Sequence, residues 1–154
     1  MLLSALLADC RAADALRVIG ATDIEIAGIA VDSRKVRPGE LFAALDGTRY
    51  DGARFVPDAL AQGAAALLGK PALANDDWPV PLVLDDNPRR RLAWLAARYF
   101  GGQPETVVAV TGTNGKTSIA HYTRALWQAL GSRSASLGTL GLEGDGLPPA
   151  AGLT

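Results

Sequence analysis

Residues 112–118, Gly-Thr-Asn-Gly-Lys-Thr-Ser, place two glycines, one lysine and two terminal hydroxyls in a single short run. That set suits a chain of anionic oxygens. Gly112 and Gly115 let the backbone turn without Cβ clashes, so that successive N–H groups can converge on phosphate. A helix starting near Lys116 adds its unpaired N–H groups and the positive end of its dipole. Lys116 would reach the β/γ-phosphates as a point charge, and Thr117 would offer its hydroxyl to Mg²⁺. The usual formula, GxxxxGK[ST], asks for a glycine at position 110, where this chain has Val110. A glycine-rich turn with no ligand is the competing reading. The intact Gly-Lys-Thr-Ser end and the order strand, loop, helix favour nucleotide phosphate.

The elements that must position this loop can be read outward from it. TVVAV (106–110) reads as a buried strand leading in, a helix runs to about Leu130, and SASLGTL (134–140) reads as a small-residue strand. This is the start of a βαβ unit, which implies a parallel sheet with a right-handed crossover. DGLPPAAGLT (145–154) is loop-like, so this sheet has about two strands where five or six are usual, and the part reads as incomplete. GGQPE (101–105) marks the internal boundary, dividing the chain into domains 1–103 and 104–154.

Upstream, IEIAGIAV (24–31) reads as a strand followed by the polar turn DSRKVRPGE. LFAAL (41–45), the AAALLG run ending at Gly69 and PLVLD (81–85) are further strands. Phe55 to Leu68 begins with helical spacing, and Asn87-Pro88 opens a helix, RRRLAWLAARYF, closed by Gly101-Gly102. Trp94, Tyr99 and Trp127 suit helix cores. Arg89, Arg90 and Arg91 read as a solvated or domain-facing charge run, and His121 as a helix-surface residue. The fold class is α/β.

Composition bounds the rest. The chain has 154 residues, 49% hydrophobic and 20% charged, as an ordinary folded protein does. A net charge of −1 supplies no basic field for nucleic acid or anionic lipid. The single Cys10 excludes an internal disulfide and fits a reducing compartment. Leu2, Leu3, Leu6, Leu7 and Cys10 recur at helical spacing, and with no basic n-region they read as a core helix, with Cys10 a small buried hydrophobe. No stretch approaches the length of a membrane span. A cytoplasmic location is expected.

TGTNGKTS resembles the ATP loop of the Mur ligase superfamily, in which Val or Ala commonly stands in place of the first glycine. VDSRKVRPGELFAALDGTRYDGARFVPDALAQGAAALL (31–68) is similar to the UDP-binding domain of the MurE-type ligases, which add the third peptide residue. DNPRRRLAWLAARYFGGQPE and SLGTLG fit that branch better than MurF, the ligase of the next step. The resemblance runs from about residue 24 to the end, and corresponds to the N-terminal third or so of such an enzyme. It implies a small UDP-binding α/β domain followed by the start of a phosphate-loop, parallel-sheet ATP domain.

The resemblance also implies site residues. Gly112, Thr113, Asn114, Gly115, Lys116, Thr117 and Ser118 would bind ATP, with Lys116 catalytic and Thr117 on Mg²⁺. Val31 and Ser33 would contact the UDP-sugar, Thr48, Arg49 and Tyr50 would form its uridine/diphosphate loop, and Thr154 would lie near the muramoyl-dipeptide. On the residues alone, 32–40 and 46–52 read more simply as solvated turns; the resemblance reverses that preference. Asp32 and Arg34 are read as a loop brace without a ligand.

The implied reaction is ATP-dependent amide formation through an acyl phosphate. It would join meso-diaminopimelate or L-lysine to UDP-N-acetylmuramoyl-L-alanyl-D-glutamate, in a full-length enzyme that is monomeric. No nucleic acid or membrane partner is implied, and this chain alone is not expected to turn over. A MurF-type ligase and a non-catalytic UDP-sugar or nucleotide-binding module are the alternatives. Asp86-Asn87-Pro88-Arg89 spells a motif that marks diaminopimelate recognition in such ligases, but there it lies far downstream of the ATP loop. Here Asn87-Pro88 is read as a helix start.

Overall fold

Strands that are apolar at almost every position are expected where both faces of a parallel sheet are covered, and the first part of the chain follows that rule. The computed structural model describes residues 1–8, 16–47 and 51–147. It divides into two compact units, Met1–Gln103 and Pro104–Thr154.

In the first unit, β1 (Arg17–Ile19), β2 (Gly28–Ala30), β3 (Glu40–Ala43), β4 (Ala66–Gly69) and β5 (Leu82–Leu84) form one sheet. Its order is β1-β5-β4-β3-β2. β2 through β5 pair in parallel, with Ile29 opposite Leu41, Phe42 opposite Leu67 and Leu68 opposite Val83. β1 joins β5 antiparallel. The parallel strands follow one another in space as they do in sequence, so crossovers of a single hand fall on one face.

The period-2 alternation of each strand divides the core accordingly. Phe42, Leu67, Leu82 and Leu84 point to the crossover face. There they meet Val36, Leu73 of the 3-10 turn Pro71–Asn75, and Val56 and Ala59 of a helix, Val56–Ala61. Leu41, Ala43, Ala66, Leu68 and Val83 point the other way, onto Leu3 and Leu6 of a helix at Leu3–Leu7 and Leu95 of a helix at Pro88–Phe100. We label these helices α1 (Leu3–Leu7), α2 (Val56–Ala61) and α3 (Pro88–Phe100). Each fully buried leucine contributes about 1.5–3 kcal/mol.

α3 begins as its sequence requires. The Asn87 side chain accepts from the Arg90 amide, Pro88 occupies the first turn, and Gly101 ends the helix at φ +62°. The strand expected over 24–31 forms only at β2, while Glu25 makes an isolated bridge to Leu2. β1 was not anticipated.

The second unit holds α4 (Lys116–Ala129) and a hairpin of β6 (Ala135–Gly138) and β7 (Gly141–Gly144). Two expectations fail here. Residues 106–110 make no ladder, and Val107 and Val108 are 77% and 55% exposed. A strand exists only through a partner, and among the described residues none lies beside this run. The parallel pairing expected between 106–110 and 134–140 is therefore not formed; β6 pairs instead with β7, antiparallel because the two-residue turn Thr139-Leu140 is too short for a crossover. The α/β class itself holds. Cys10 lies outside the described residues.

Candidate functional site

Gly112 and Gly115 adopt φ +145° and +75°, and Gly115 is the N-cap of α4 in the left-handed region. A Cβ at Gly115 would meet nothing within 4 Å, so glycine serves the backbone angle there and not the room. Residues 111–118 are all exposed. The first amide of α4 bonded to an N-terminal carbonyl is that of Ile119, to Gly115; helix geometry leaves the preceding amides without intrahelical acceptors. The loop thus presents glycines, helix amides and two side chains to solvent.

Both side chains have partners, Lys116 within the loop and Thr117 outside it. Lys116 Nζ donates to the Gly112 carbonyl at 2.6 Å and reaches the Thr113 carbonyl at 3.4 Å. The Thr117 hydroxyl lies 3.1 Å from that of Thr139, on the β6–β7 turn. Among the described residues no cluster of three or more His, Cys, Asp or Glu could hold a metal. A magnesium that rides on nucleotide phosphates does not need one: it takes one loop hydroxyl, phosphate oxygens and water. Thr117 fits that donor set.

In the first unit, Val31 and Ser33 follow β2 at the carboxyl edge of the parallel strands, where open α/β sheets bind ligands. Val31 is 62% exposed, a large apolar side chain facing solvent beside that edge. Ser33 is buried, as the first residue of a 3-10 turn, Ser33–Lys35. Asp32 caps this turn through the Arg34 amide, and its two oxygens take Arg34 Nε and Nη2 at 2.9 and 2.8 Å. These bonds, the side-chain one first, hold the Asp32 carboxyl at about 2, below its ordinary 3.8. Asp32 and Arg34 therefore brace the loop as expected.

The same edge gathers residues that the sequence reading passed over. Asp46, just beyond β3, takes Lys70 Nζ at 2.5 Å and the Gly52 amide at 3.4 Å, and Arg89 donates to its carbonyl. Lys70, first among the causes, lowers the Asp46 carboxyl, and the Gly52 amide adds to it. Asp85 and Arg91 form a buried pair at 2.7 Å. Thr48, Arg49, Tyr50 and Thr154 lie outside the described residues.

The charge-run reading of Arg89 to Arg91 needs correction at Arg91, which is 1% exposed. α3 turns this position toward the sheet, where Asp85 meets the guanidinium and Trp94 stacks 5.2 Å from it. Arg90 lies 5.1 Å over the same ring, outside. His121 is on the helix surface, 3.6 Å from Glu143. Trp94, Tyr99 and Trp127 are half-buried. Asn87-Pro88 starts α3, so the Asp-Asn-Pro-Arg run has the local role read from it.

A largely parallel α/β unit is followed by a unit with an exposed glycine loop at the start of a helix. Residues 25–100 match the family described as Mur ligase family, catalytic domain. With the similarities that follow, the chain belongs to the Mur ligase family.

It is 55% identical over 119 residues to a UDP-N-acetylmuramoyl-L-alanyl-D-glutamate–2,6-diaminopimelate ligase of Bradyrhizobium diazoefficiens, covering 77% of this chain and 24% of that protein. It is 49% identical over 124 residues to the ligase of the same name from Mesorhizobium japonicum, covering 80% and 26%. A solved structure of a protein of that name superposes with TM-score 0.62 at 29% identity, covering 79% of this chain and 25% of the other. MurF from Thermotoga maritima in complex with ADP superposes with TM-score 0.51 at 34% identity, covering 69% and 24%. The chain thus spans about a quarter of the length of the curated relatives it matches.

Proposed function

We propose that this chain carries the UDP-sugar unit and the ATP phosphate loop of a cytoplasmic ligase that adds 2,6-diaminopimelate to UDP-N-acetylmuramoyl-L-alanyl-D-glutamate. The observation that carries it is the open loop at 112–118, with left-handed Gly115 starting α4 and Lys116 and Thr117 at its head. The sequence alone left diaminopimelate and lysine open; the names of the relatives favour the former.

In this reading residues 104–154 begin the ATP domain. The amides of Gly112 to Ser118 and the Lys116 ammonium cradle the phosphates, with Lys116 leaving its two loop carbonyls for phosphate oxygens. Thr117 holds Mg²⁺, which supplies neutralising charge on the phosphates. The substrate carboxylate forms a bond to the γ-phosphorus as the bond to ADP breaks. The amine then attacks the acyl carbon, and inorganic phosphate leaves. The loop residues act on the first step by positioning and charge neutralisation, which is where phosphoryl transfer gains its rate.

Residues 1–103 form the UDP-sugar domain. Val31 supplies exposed apolar surface to the nucleotide-sugar at the carboxyl edge, Ser33 a hydroxyl from the turn, and Thr48, Arg49 and Tyr50 the uridine/diphosphate loop, with Thr154 near the dipeptide. An arginine can pair a diphosphate through its planar fork. The complete enzyme acts as a monomer.

Titrating UDP-N-acetylmuramoyl-L-alanyl-D-glutamate onto the purified chain tests the first site. Saturable binding, weakened by Val31→Asp, is expected. A folded first unit that shows no binding would remove the assignment of Val31, Ser33 and residues 48–50.

A further inference from the structure

A threonine that serves a metal through its oxygen has a second requirement, a partner for its own proton. Thr117 occupies the second position of α4, where a threonine hydroxyl can otherwise turn back onto a carbonyl one helical turn earlier. In this chain a different group meets it. The Thr139 hydroxyl comes within 3.1 Å of Thr117 Oγ1 from the turn between β6 and β7.

Local structure fixes Thr139 there. β6 and β7 pair from Ala135–Gly144 to Gly138–Gly141, so the turn contains only Thr139 and Leu140. Gly141 closes it at φ +89°. The hairpin is held against α4 by further polar contacts. Glu143 of β7 lies 3.6 Å from His121 Nδ1 and 3.7 Å from Arg124 Nη2. Gln128 donates to Asp145 at 2.7 Å, and Ser134 to the Arg124 carbonyl at 3.1 Å. Thr117, His121 and Arg124 recur at the spacing of one helix face. The hairpin therefore docks along the face that begins with Thr117, and its turn ends at the head of the helix.

We propose that Thr139 is a positioning residue for the metal: its hydroxyl accepts the Thr117 proton and thereby aims a Thr117 lone pair toward Mg²⁺ on the bound nucleotide. This rests on the phosphate-loop reading of 112–118 and adds a residue outside that loop. Groups that orient a metal ligand in this way typically change metal affinity by about 10–100-fold when removed. The Thr117–Thr139 pair is exposed, so the lower end, roughly tenfold, is expected here.

The test is ADP affinity for the full chain by calorimetry, measured once with EDTA and once with excess Mg²⁺. The wild-type chain is expected to bind ADP more tightly with Mg²⁺. Thr139→Val, which removes the hydroxyl at nearly constant volume, is expected to keep the metal-free affinity and to lose roughly tenfold of the magnesium-dependent gain. Thr139→Ser is expected to retain it. An undiminished gain in Thr139→Val overturns the proposal, as does loss of the gain in Thr139→Ser. So does an equal loss of affinity with and without Mg²⁺, which would make Thr139 a structural residue only. Failure of the wild-type chain to bind ADP under either condition removes the phosphate-loop reading itself, a result distinct from those three.

Discussion

Arg91 sits in α3 with its guanidinium enclosed, 2.7 Å from a buried Asp85 carboxylate that also accepts from the Asn87 amide. A pair of this kind contributes little net stability against an apolar substitute, yet removing one partner strands the other. Arg91→Leu is therefore expected to destabilise the first unit by about 3–5 kcal/mol in urea denaturation, and Asp85→Asn with Arg91→Leu by less than the single change. Asp32 offers a test of sign. Its folded value near 2 lies below the unfolded one, so its contribution is present above about pH 4 and lost as pH falls toward 2. A carboxyl titration followed by nuclear magnetic resonance should place its midpoint near 2, and Asp32→Asn should flatten the acid limb of the stability curve. The sequence exposed the hydroxyl, lysine and glycine pattern of 112–118 directly, because these residues are consecutive. It could not expose Thr117 with Thr139, or Asp46 with Lys70, because proximity between residues so far apart in sequence is a property of the fold.

The elements show where local rules suffice. Asn87 and Pro88 started α3 as read, since a cap and a first-turn proline act within a few residues of each other. Asn87→Ala should cost about 1 kcal/mol, measurable by thermal unfolding. Gly52 is a harder case. Its amide meets Asp46, and a Cβ there would lie 2.5 Å from the Ala44 carbonyl carbon and the Leu45 oxygen. Those atoms are backbone at the end of β3 and cannot yield cheaply. Gly52→Ala is expected to destabilise by about 1–3 kcal/mol. The strand reading of 106–110 failed for a related reason: an apolar β-branched run records a propensity, whereas a ladder requires a neighbour. β7 was not anticipated: with glycine at both its ends, Gly141 and Gly144, it carries little strand signal.

At the scale of the molecule, the two units carry different parts of one chemistry in our account: a sugar-nucleotide edge in residues 1–103 and a phosphate loop in 104–154. Strands β2 to β5 were legible as elements because they are short, apolar and separated by clear breakers; their parallel order and the two covered faces are properties of the fold. Among the described residues no helix is long and apolar enough to cross a membrane. The central claim is that 112–118 binds nucleotide phosphate independently of the sugar site. Lys116→Ala, titrated separately with ATP–Mg²⁺ and with UDP-N-acetylmuramoyl-L-alanyl-D-glutamate, tests it most directly. The account predicts that nucleotide binding is lost while UDP-sugar binding equals that of the wild-type chain. Unchanged ATP affinity, or loss of both ligands in a folded variant, would contradict it.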